Sequence, residues 1–248
     1  MTDAVIESML GQLRLSACRQ NYAVLAKEAI KNNKSHLEYL KALLAEEINQ
    51  RLDRRVKTII TKAKFPILKT LADFDFSLVP TLNKHKILEL TEGDFIDNQQ
   101  NVCFLGQTGT GKTHLATAIA YEACKRKYPV LFFSAAKLVN ELLVASKNLA
   151  ILKLQKKLAK AKLIVIDELG YIPFSKEGAE LIFQFFAEAY EKQSLIITSN
   201  LEFSEWTNFL GDPTMTSALL DRFTHHCQIL TINAESYRFR QRKNKQPG

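Results

Sequence analysis

Apolar positions near the start of the chain recur with a helical period. Residues 1–64 contain no proline and one glycine, and this composition favours helix. Within them, aliphatic side chains repeat every three or four positions, which predicts one stripe of a long amphipathic helix. The stripe consists of Leu37, Leu40, Leu44, Ile48, Leu52, Val56 and Ile59. Ser35 precedes it as an N-cap candidate, and Glu38 three residues later completes a capping-box pattern.

From residue 99 onward, short apolar runs alternate with helical patterns. The runs typical of buried strands are Val102–Leu105, Val130–Phe133, Leu163–Ile166, Leu195–Ile197 and Ile229–Ile232. Helical stretches separate them. One helix face is formed by Ala179, Ile182, Phe183, Phe186 and Tyr190. Phe185 falls outside that face, and the pattern leaves open that it packs elsewhere. The alternation predicts an α/β fold, with a mostly parallel sheet sandwiched by helices.

Charge divides the chain into three parts. The whole chain carries 34 Lys and Arg against 26 Asp and Glu, a net charge of +8. Residues 14–69 hold thirteen basic against five acidic side chains, residues 70–98 two against six, and residues 99–248 nineteen against thirteen. With Pro66 nearby, this shift predicts a small all-helical N-terminal domain over residues 1–69. A linker over 70–98 and the α/β domain over 99–248 would follow. The basic excess favours binding to a polyanion.

Several classes of protein are disfavoured by the composition. No apolar run approaches the roughly 20 residues that cross a bilayer, and the first residues lack the basic region of a signal peptide. We therefore expect a cytoplasmic protein with no membrane contact. The cysteines lie far apart without a C-x-x-C pair, which argues against disulfides or a zinc site. They are Cys18, Cys103, Cys124 and Cys227.

Residues 106–113 match the phosphate-binding pattern G-x-x-x-x-G-K-[ST] in full. A predicted strand ends just before this loop, and a helical stretch opens after it. Glycines let backbone amides point at phosphates, Lys112 would reach the β- and γ-phosphates of ATP, and the Thr113 hydroxyl would bind Mg²⁺. The nucleotide-binding candidates are Gly106, Gln107, Thr108, Gly109, Thr110, Gly111, Lys112, Thr113 and His114.

Polar and charged side chains at later strand and helix ends complete a candidate hydrolase. Asp167, at the end of the strand that starts at Leu163, would hold Mg²⁺, and Glu168 would polarise an attacking water. This pair favours ATP hydrolysis over phosphoryl transfer to a metabolite. Asn200 is a candidate sensor of the γ-phosphate. Arg222 is either an ordinary surface residue or an arginine that acts in trans on a neighbour's ATP, which would require a homo-oligomer.

In combination these motifs resemble the IstB family, AAA+ helper ATPases of insertion sequences related to the helicase loader DnaC. The resemblance is carried by Gly106–Thr113 with His114-Leu, Ile166-Asp-Glu-Leu-Gly-Tyr171, Thr198-Ser-Asn200, Ala218-Leu-Leu-Asp-Arg222 with His225-His226, and Glu235-Ser-Tyr-Arg238. It implies a P-loop AAA+ fold with catalytic Lys112 and Glu168. It also implies sensor Asn200, arginine finger Arg222 and a sensor-2-like Arg238. Ten residues follow Arg238, which predicts a minimal lid.

The basic segments acquire a meaning from this resemblance, because it implies that residues 147–162 face DNA. The DNA-binding candidates are Arg51, Arg54, Arg55, Lys57, Lys147, Lys153, Lys156 and Lys157. A solvated basic surface is the alternative for each of them. The first hypothesis is an ATPase that assembles on duplex DNA, contacts mainly its backbone and assists a transposase. The second is a helicase loader acting on single-stranded DNA, and the third a nucleotide-switched scaffold with negligible turnover.

Overall fold

The computed structural model describes residues 2–234 and Ser236, and it divides into two compact units, Met1–Thr58 and Ile59–Gly248. Three helices come first: α1 (Thr2–Gln12), α2 (Ser16–Lys31) and α3 (His36–Ala63). The division between the units falls inside α3. The charge pattern placed it later, near residue 70, and this difference reflects packing, because the last residues of α3 contribute Ala63 to the core of the second unit.

The predicted long amphipathic helix is α3, but it packs through a different face. Its N-terminus has the expected capping box, since the Glu38 carboxylate accepts hydrogen bonds from the Ser35 amide at 2.7 Å and hydroxyl at 2.8 Å. The first four members of the apolar stripe are 44 to 78% exposed, whereas Leu43 and Glu47 are buried. The face of α3 that is buried is therefore set by a carboxylate as well as by leucine side chains.

Glu47 joins α3 to the first turn of α2. Its Oε2 accepts hydrogen bonds from the amides of Ala17 at 2.7 Å and Cys18 at 3.2 Å, and its Oε1 accepts one from Arg51 Nε at 2.8 Å. Burial by itself would raise the pKa of Glu47, but the hydrogen bonds from Arg51, Cys18 and Ala17 outweigh it and hold the pKa below its ordinary value. The carboxylate satisfies amides that lack a partner within α2.

We expect Glu47→Gln to loosen the start of α2 at neutral pH. A lost charge-assisted hydrogen bond costs about 1.5–3 kcal/mol, so the Ala17 and Cys18 amides should exchange with solvent about 10-fold or more faster. Because the pKa of Glu47 is lowered on folding, wild-type protection should hold above about pH 4.3 and fall as the pH drops through the lower folded value.

Hydrogen-exchange protection factors, measured from pH 7 to pH 3 and corrected for intrinsic rates, check this prediction. Glu46→Gln is the matched control, because Glu46 is the exposed neighbour on the same helix. Equal protection of the two amides in both variants would show that Glu47 does not hold α2.

The second unit is built on a five-stranded parallel sheet with the strand order β2-β3-β4-β1-β5. The strands are β1 (Asn101–Leu105), β2 (Val130–Ser134), β3 (Leu163–Leu169), β4 (Ser194–Ser199) and β5 (Cys227–Thr231). All five correspond to the apolar runs predicted as strands, so the α/β fold with a parallel sheet is confirmed. Because β4 lies between β1 and β3, the loop that follows β1 and the polar residues near the carboxyl ends of β3 and β4 lie at the same end of the sheet.

Helices cover both faces of this sheet. They are α4 (Lys84–Glu92), α5 (Asp94–Asp97), α6 (Lys112–Lys125), α7 (Ala135–Lys147), α8 (Ile151–Leu158), α9 (Lys176–Ala189), α10 (Thr207–Leu210) and α11 (Pro213–Thr224). One core contains Leu105, Ile166 and Ile197 with side chains of α7 to α11. The other contains Phe104 and Val165 with side chains of α4 to α6. Alternate strand residues thus enter opposite cores.

Two details differ from the sequence-based expectations. The segment expected as a linker, residues 70–98, forms two short 3₁₀ helices and α4 and α5, and it contributes Ile87 and Phe95 to the core. This happens because α4 packs against α6. Phe185, placed outside the apolar face of its helix, is buried beside Phe186 with ring centroids 5.8 Å apart. The buried surface of α9 is therefore wider than the single apolar stripe that the sequence predicts.

Cysteine side chains behave as interior thiols in the described chain. Cys18, Cys103 and Cys124 are buried, and Cys227 is half-buried. Burial raises the pKa of Cys124 and of Cys227 to about 12, so both are protonated at neutral pH. Across residues 2–234, no helix has the length and apolarity that crossing a membrane requires.

Candidate nucleotide-binding site

The phosphate-binding loop connects β1 to α6, as the sequence predicts. Gly106 has a φ of 145°, and a Cβ there would collide with the carbonyl oxygen of Ile232. Gly111, the N-cap of α6, has a φ of 98°, and a Cβ there would lie 2.7 Å from Phe74 Cε2. Both positions therefore require glycine on conformational and steric grounds. The close fit keeps the loop folded around the N-terminus of a 14-residue helix, a favourable place for phosphate.

Lys112 lies across this loop. Its Nζ donates hydrogen bonds to the carbonyl oxygens of Gly106 at 2.6 Å and Gln107 at 2.7 Å. The ammonium is therefore held within the loop and beside the positive end of α6. This is the position from which a lysine contacts the terminal phosphates of a nucleotide.

Asp167 is the buried acid of the site. It is 6% exposed, and its Oδ1 accepts hydrogen bonds from the Thr113 hydroxyl at 2.8 Å and the Thr198 hydroxyl at 2.6 Å. The three side chains come from β3, α6 and β4, which the strand order brings together. A carboxylate beside a threonine hydroxyl is an oxygen donor set of the kind that Mg²⁺ takes. The residues predicted to hold Mg²⁺ thus lie within hydrogen-bond distance of each other.

Glu168 follows at an irregularity in β3. The register between β3 and β4 shifts between Ile166 and Leu169, and Glu168 has a φ of 60°, which is strained for a non-glycine residue. Its amide donates a hydrogen bond to the Thr198 hydroxyl at 2.9 Å, and its side chain is exposed. The bulge therefore separates the two acids, with Asp167 directed inward and Glu168 accessible at the cavity.

Thr198 is the functional residue that the individual motifs did not single out. One hydroxyl both donates to the Asp167 carboxylate and accepts from the Glu168 amide, so it holds the first acid and the backbone that carries the second. The sequence directed attention to Asn200, which also lines the cavity but is exposed. The available signal was a threonine that directly follows the apolar run Leu195–Ile197.

A cavity of about 760 Å³ opens over these groups. One wall is aromatic, since Phe74 packs edge-on against His114 and Phe76 with centroids 5.2 and 4.9 Å apart. The His114 Nε2 is hydrogen-bonded to the Thr70 carbonyl oxygen at 2.8 Å. Cationic side chains beyond the loop also line the cavity, and these are Lys64, Lys69 and Lys137. Spacing along the sequence gave no indication of Phe74 or of these lysines.

Arg222 lies at the opposite end of the sheet, where the strands begin. Its guanidinium is over the Phe183 ring at 5.5 Å, and Nη1 donates to the Ala218 carbonyl oxygen at 2.9 Å. The Asn101 side chain donates to the Phe223 carbonyl oxygen at 3.0 Å, which fixes the end of α11 beside the start of β1. The phosphate-binding loop follows the end of β1, about 15 Å further on for a strand of this length. Arg222 is therefore remote from its own chain's loop.

The candidate DNA-binding side chains fall into two groups. In the first unit, Arg51 also donates to the Arg14 carbonyl oxygen at 3.0 Å, and Arg54 donates to the Ser16 hydroxyl at 2.9 Å, so both join α3 to the start of α2. Arg55 and Lys57 are exposed. In the second unit the candidates Lys147 on α7 and Lys153, Lys156 and Lys157 on α8 are all exposed. Arg238 lies outside the described residues.

Known families account for this combination of fold and loop. The sequence profile of the IstB-like ATP binding proteins matches residues 8–245. The chain belongs to this family. The ATP-binding protein of insertion sequence IS5376 from Geobacillus stearothermophilus is 38% identical over 94% of this chain and 92% of its own length. That of IS21 from Pseudomonas aeruginosa is 33% identical, over 96% of this chain and 90% of its own length.

The fold has the same affiliation. The crystal structure of the DnaC helicase loader superimposes with a TM-score of 0.53 at 23% identity, over 60% of this chain and 87% of that chain. At this level the likeness concerns the fold alone. It confirms the expected α/β fold with a parallel sheet between helices, and the family match confirms the expectation of an ATP-binding protein.

We expect Thr198→Val to slow ATP hydrolysis more than it weakens ATP binding. Valine has nearly the same shape but leaves Asp167 with one hydroxyl donor and the Glu168 amide without its acceptor. Loss of a hydrogen bond to a charged group is worth about 1.5–3 kcal/mol, which corresponds to roughly a 10- to 100-fold lower rate. Steady-state ATPase and nucleotide titration measure the two effects separately.

Thr216→Val is the matched control, because Thr216 is similarly buried on α11 and donates only to the Asp212 carbonyl oxygen at 2.7 Å. A Thr198→Val enzyme that hydrolyses ATP as fast as this control would show that Thr198 does not position the acids.

Proposed function

We propose that this protein binds and hydrolyses ATP with Mg²⁺, and that the nucleotide drives its assembly on DNA to assist a transposase. The observation that supports the hydrolytic part is the buried Asp167 carboxylate, held by the hydroxyls of Thr113 and Thr198 beside the phosphate-binding loop. Two acids that only capped the turn after β3 would not need a hydrogen bond to Thr113, which follows the phosphate-binding loop. The relatives encoded by insertion sequences support the role in transposition.

Each group of the site has a distinct role in this proposal. Lys112 and the loop amides bind the phosphates, and Glu168 orients the attacking water and accepts its proton. Thr113 and Asp167 would hold Mg²⁺, which neutralises charge on the phosphates when bound. Asn200 would contact the γ-phosphate from the end of β4. The hydrogen bonds of Thr198 would hold Asp167 at the Mg²⁺ position and the backbone of Glu168 where its side chain reaches the water.

Arg222 would act on the ATP of a neighbouring copy. It lies at the end of the sheet where β1 begins, whereas the phosphate-binding loop lies where β1 ends. It would meet a γ-phosphate if this end of one copy packed against the loop of the next copy. An arginine finger supplied in this way accelerates phosphoryl transfer by a factor of 10³–10⁵. Hydrolysis would then depend on assembly, which is the property that an ATP-dependent clamp on DNA requires.

The lysines of α7 and α8 are the stronger candidates for contact with duplex DNA. Residues 147–162 contain no acidic side chain. One of their lysines, Lys157, has its Nζ 3.5 Å from the Glu141 carboxylate. Arg51 and Arg54 are used within the first unit, which weakens the case for their binding to phosphate. Lysine contacts of this type favour backbone binding with little sequence specificity and a steep dependence on salt.

We expect the Glu168→Gln protein to bind ATP and to keep it bound without hydrolysing it. Removing the base should lower the rate of hydrolysis by about 10²- to 10⁴-fold, because glutamine cannot accept the proton of the attacking water. The trapped ATP should stabilise the oligomer on DNA. Single-turnover hydrolysis and sedimentation with a duplex in the presence of ATP measure both effects.

Glu177→Gln is the control, because Glu177 is an exposed acid on the first turn of α9. A Glu168→Gln protein with unchanged turnover would refute the catalytic assignment. The same binding assay with single strands tests the helicase-loader alternative, which requires them to be preferred over duplex.

We expect two inactive variants to restore activity when mixed if Arg222 acts in trans. Lys112→Ala subunits lack the phosphate-binding lysine but carry the arginine, and Arg222→Ala subunits carry an intact ATP site. Each should lose at least about 100-fold in ATPase rate alone. An equimolar mixture with DNA should regain a measurable part of the wild-type rate.

The double variant Lys112→Ala/Arg222→Ala replaces the Lys112→Ala subunit in the control mixture and should give no recovery. A mixture of the single variants that hydrolyses ATP no faster than the sum of its parts would refute the action of Arg222 in trans.

A further inference from the structure

The turn between α7 and α8 contains a leucine in an unusual position. The Leu149 amide donates to the Ser146 carbonyl oxygen at 3.2 Å, and the Ala150 amide donates to the Ala145 carbonyl oxygen at 2.8 Å. This pair of bonds is a Schellman motif, in which Leu149 occupies the left-handed position with a φ of 52°. Glycine normally occupies that position, because a Cβ is strained there.

Leu149 also has its side chain almost entirely in water. It is 94% exposed, more than any other large apolar side chain of the described residues. Leu152 and Val144, on the adjoining turns, are 69 and 58% exposed. The other described non-glycine residues with positive φ are all polar, namely Arg14, Asn33, Lys64, Gln99, Lys127, Glu168 and Glu191. A leucine here is unfavourable both for the backbone and for the side chain, so the fold does not account for it.

The surroundings of Leu149 identify the kind of partner that would cover it. Lysines lie on both sides of the turn, at Lys147, Lys153 and Lys156, and residues 147–162 contain no acidic side chain. The partner must therefore present dense negative charge and, next to it, a slot for one aliphatic side chain. Duplex DNA has both, because phosphates flank the minor groove and an aliphatic side chain can enter between stacked base pairs there.

We propose that Leu149 is a wedge that enters the minor groove of duplex DNA and unstacks one base step, while the neighbouring lysines bind the flanking phosphates. The proposal rests on the DNA binding of the proposed function and adds how the DNA is deformed. Separation of one step kinks the duplex, and the bent duplex can contact more of the assembled protein. Sequence enters through the ease of unstacking alone, which agrees with contacts made mainly to the backbone.

Leu149→Gly tests the wedge without endangering the fold. Glycine is the favoured residue at this turn, so the thermal midpoint should stay the same or rise. Wild-type protein with ATP should bind a duplex that carries one mismatched pair about tenfold more tightly than the fully paired duplex, because the mismatch removes much of the unstacking cost. Leu149→Gly should lose this preference, and Leu149→Met should keep it.

Lys127→Gly is the matched control, since Lys127 has the same position after α6, with its amide bonded to the Cys124 carbonyl oxygen at 2.9 Å and the Tyr128 amide to that of Ala123 at 3.0 Å. End-to-end energy transfer on the paired duplex gives a second measurement. Wild type and Lys127→Gly should shorten the distance between the DNA ends, and Leu149→Gly should not.

The possible failures are distinguishable. Wild-type protein that binds neither duplex would overturn the proposed function together with the wedge. Binding and bending by Leu149→Gly equal to wild type would overturn the wedge and leave the proposed function standing. A change in the sedimentation of Leu149→Gly without DNA would assign the leucine to a protein interface, and that result would also overturn the wedge.

Discussion

A buried carboxylate between two hydroxyl groups is the interaction on which the nucleotide site depends. Asp167 is removed from water, and such a charge is costly unless it is hydrogen-bonded. The Thr113 hydroxyl comes from the helix after the phosphate-binding loop, and the Thr198 hydroxyl comes from β4. One charge therefore connects the loop, the acid-bearing strand and the strand between them. A shift of any of these elements would leave the buried carboxylate short of a donor.

The strand order determines how much space this connection spans. Because β4 lies between β1 and β3, β1, which leads into the loop, and β3, which carries the acids, are two strand spacings apart, roughly 10 Å. A chain of phosphates with its cation fits a gap of that size. The bulge at Glu168 then directs the second acid out of the strand and into the same gap, and the Thr198 hydroxyl stabilises the strained backbone there. The strand order thus sets the distance between the loop and the acids, and the bulge at Glu168 sets where the second acid lies.

Local patterns in the sequence predicted what depends on neighbours along the chain. The five strands, the loop at 106–113 and the capping box at Ser35 all follow from residue types at fixed spacings. Contacts between distant segments were not predictable in this way. Phe74 reaches Gly111 only because residues 70–98 fold onto α6, and the buried face of α3 is selected by Glu47, which binds the amides of α2. The apolar stripe indicated a helix but not the face that it buries.

The two ends of the sheet give the proposed function its logic. At one end the cavity collects positive charge from Lys112, Lys64, Lys69 and Lys137 of its own chain, while Arg222 lies at the other end. Under the proposed function, a single copy would bind a triphosphate, and the cation that completes the site for hydrolysis would come from a neighbouring copy. Stacking of copies would supply that cation and would also bring the lysine-rich turns between α7 and α8 of several copies onto one duplex. The placement of Arg222 would then link hydrolysis to occupancy of the DNA, since the same stacking creates both.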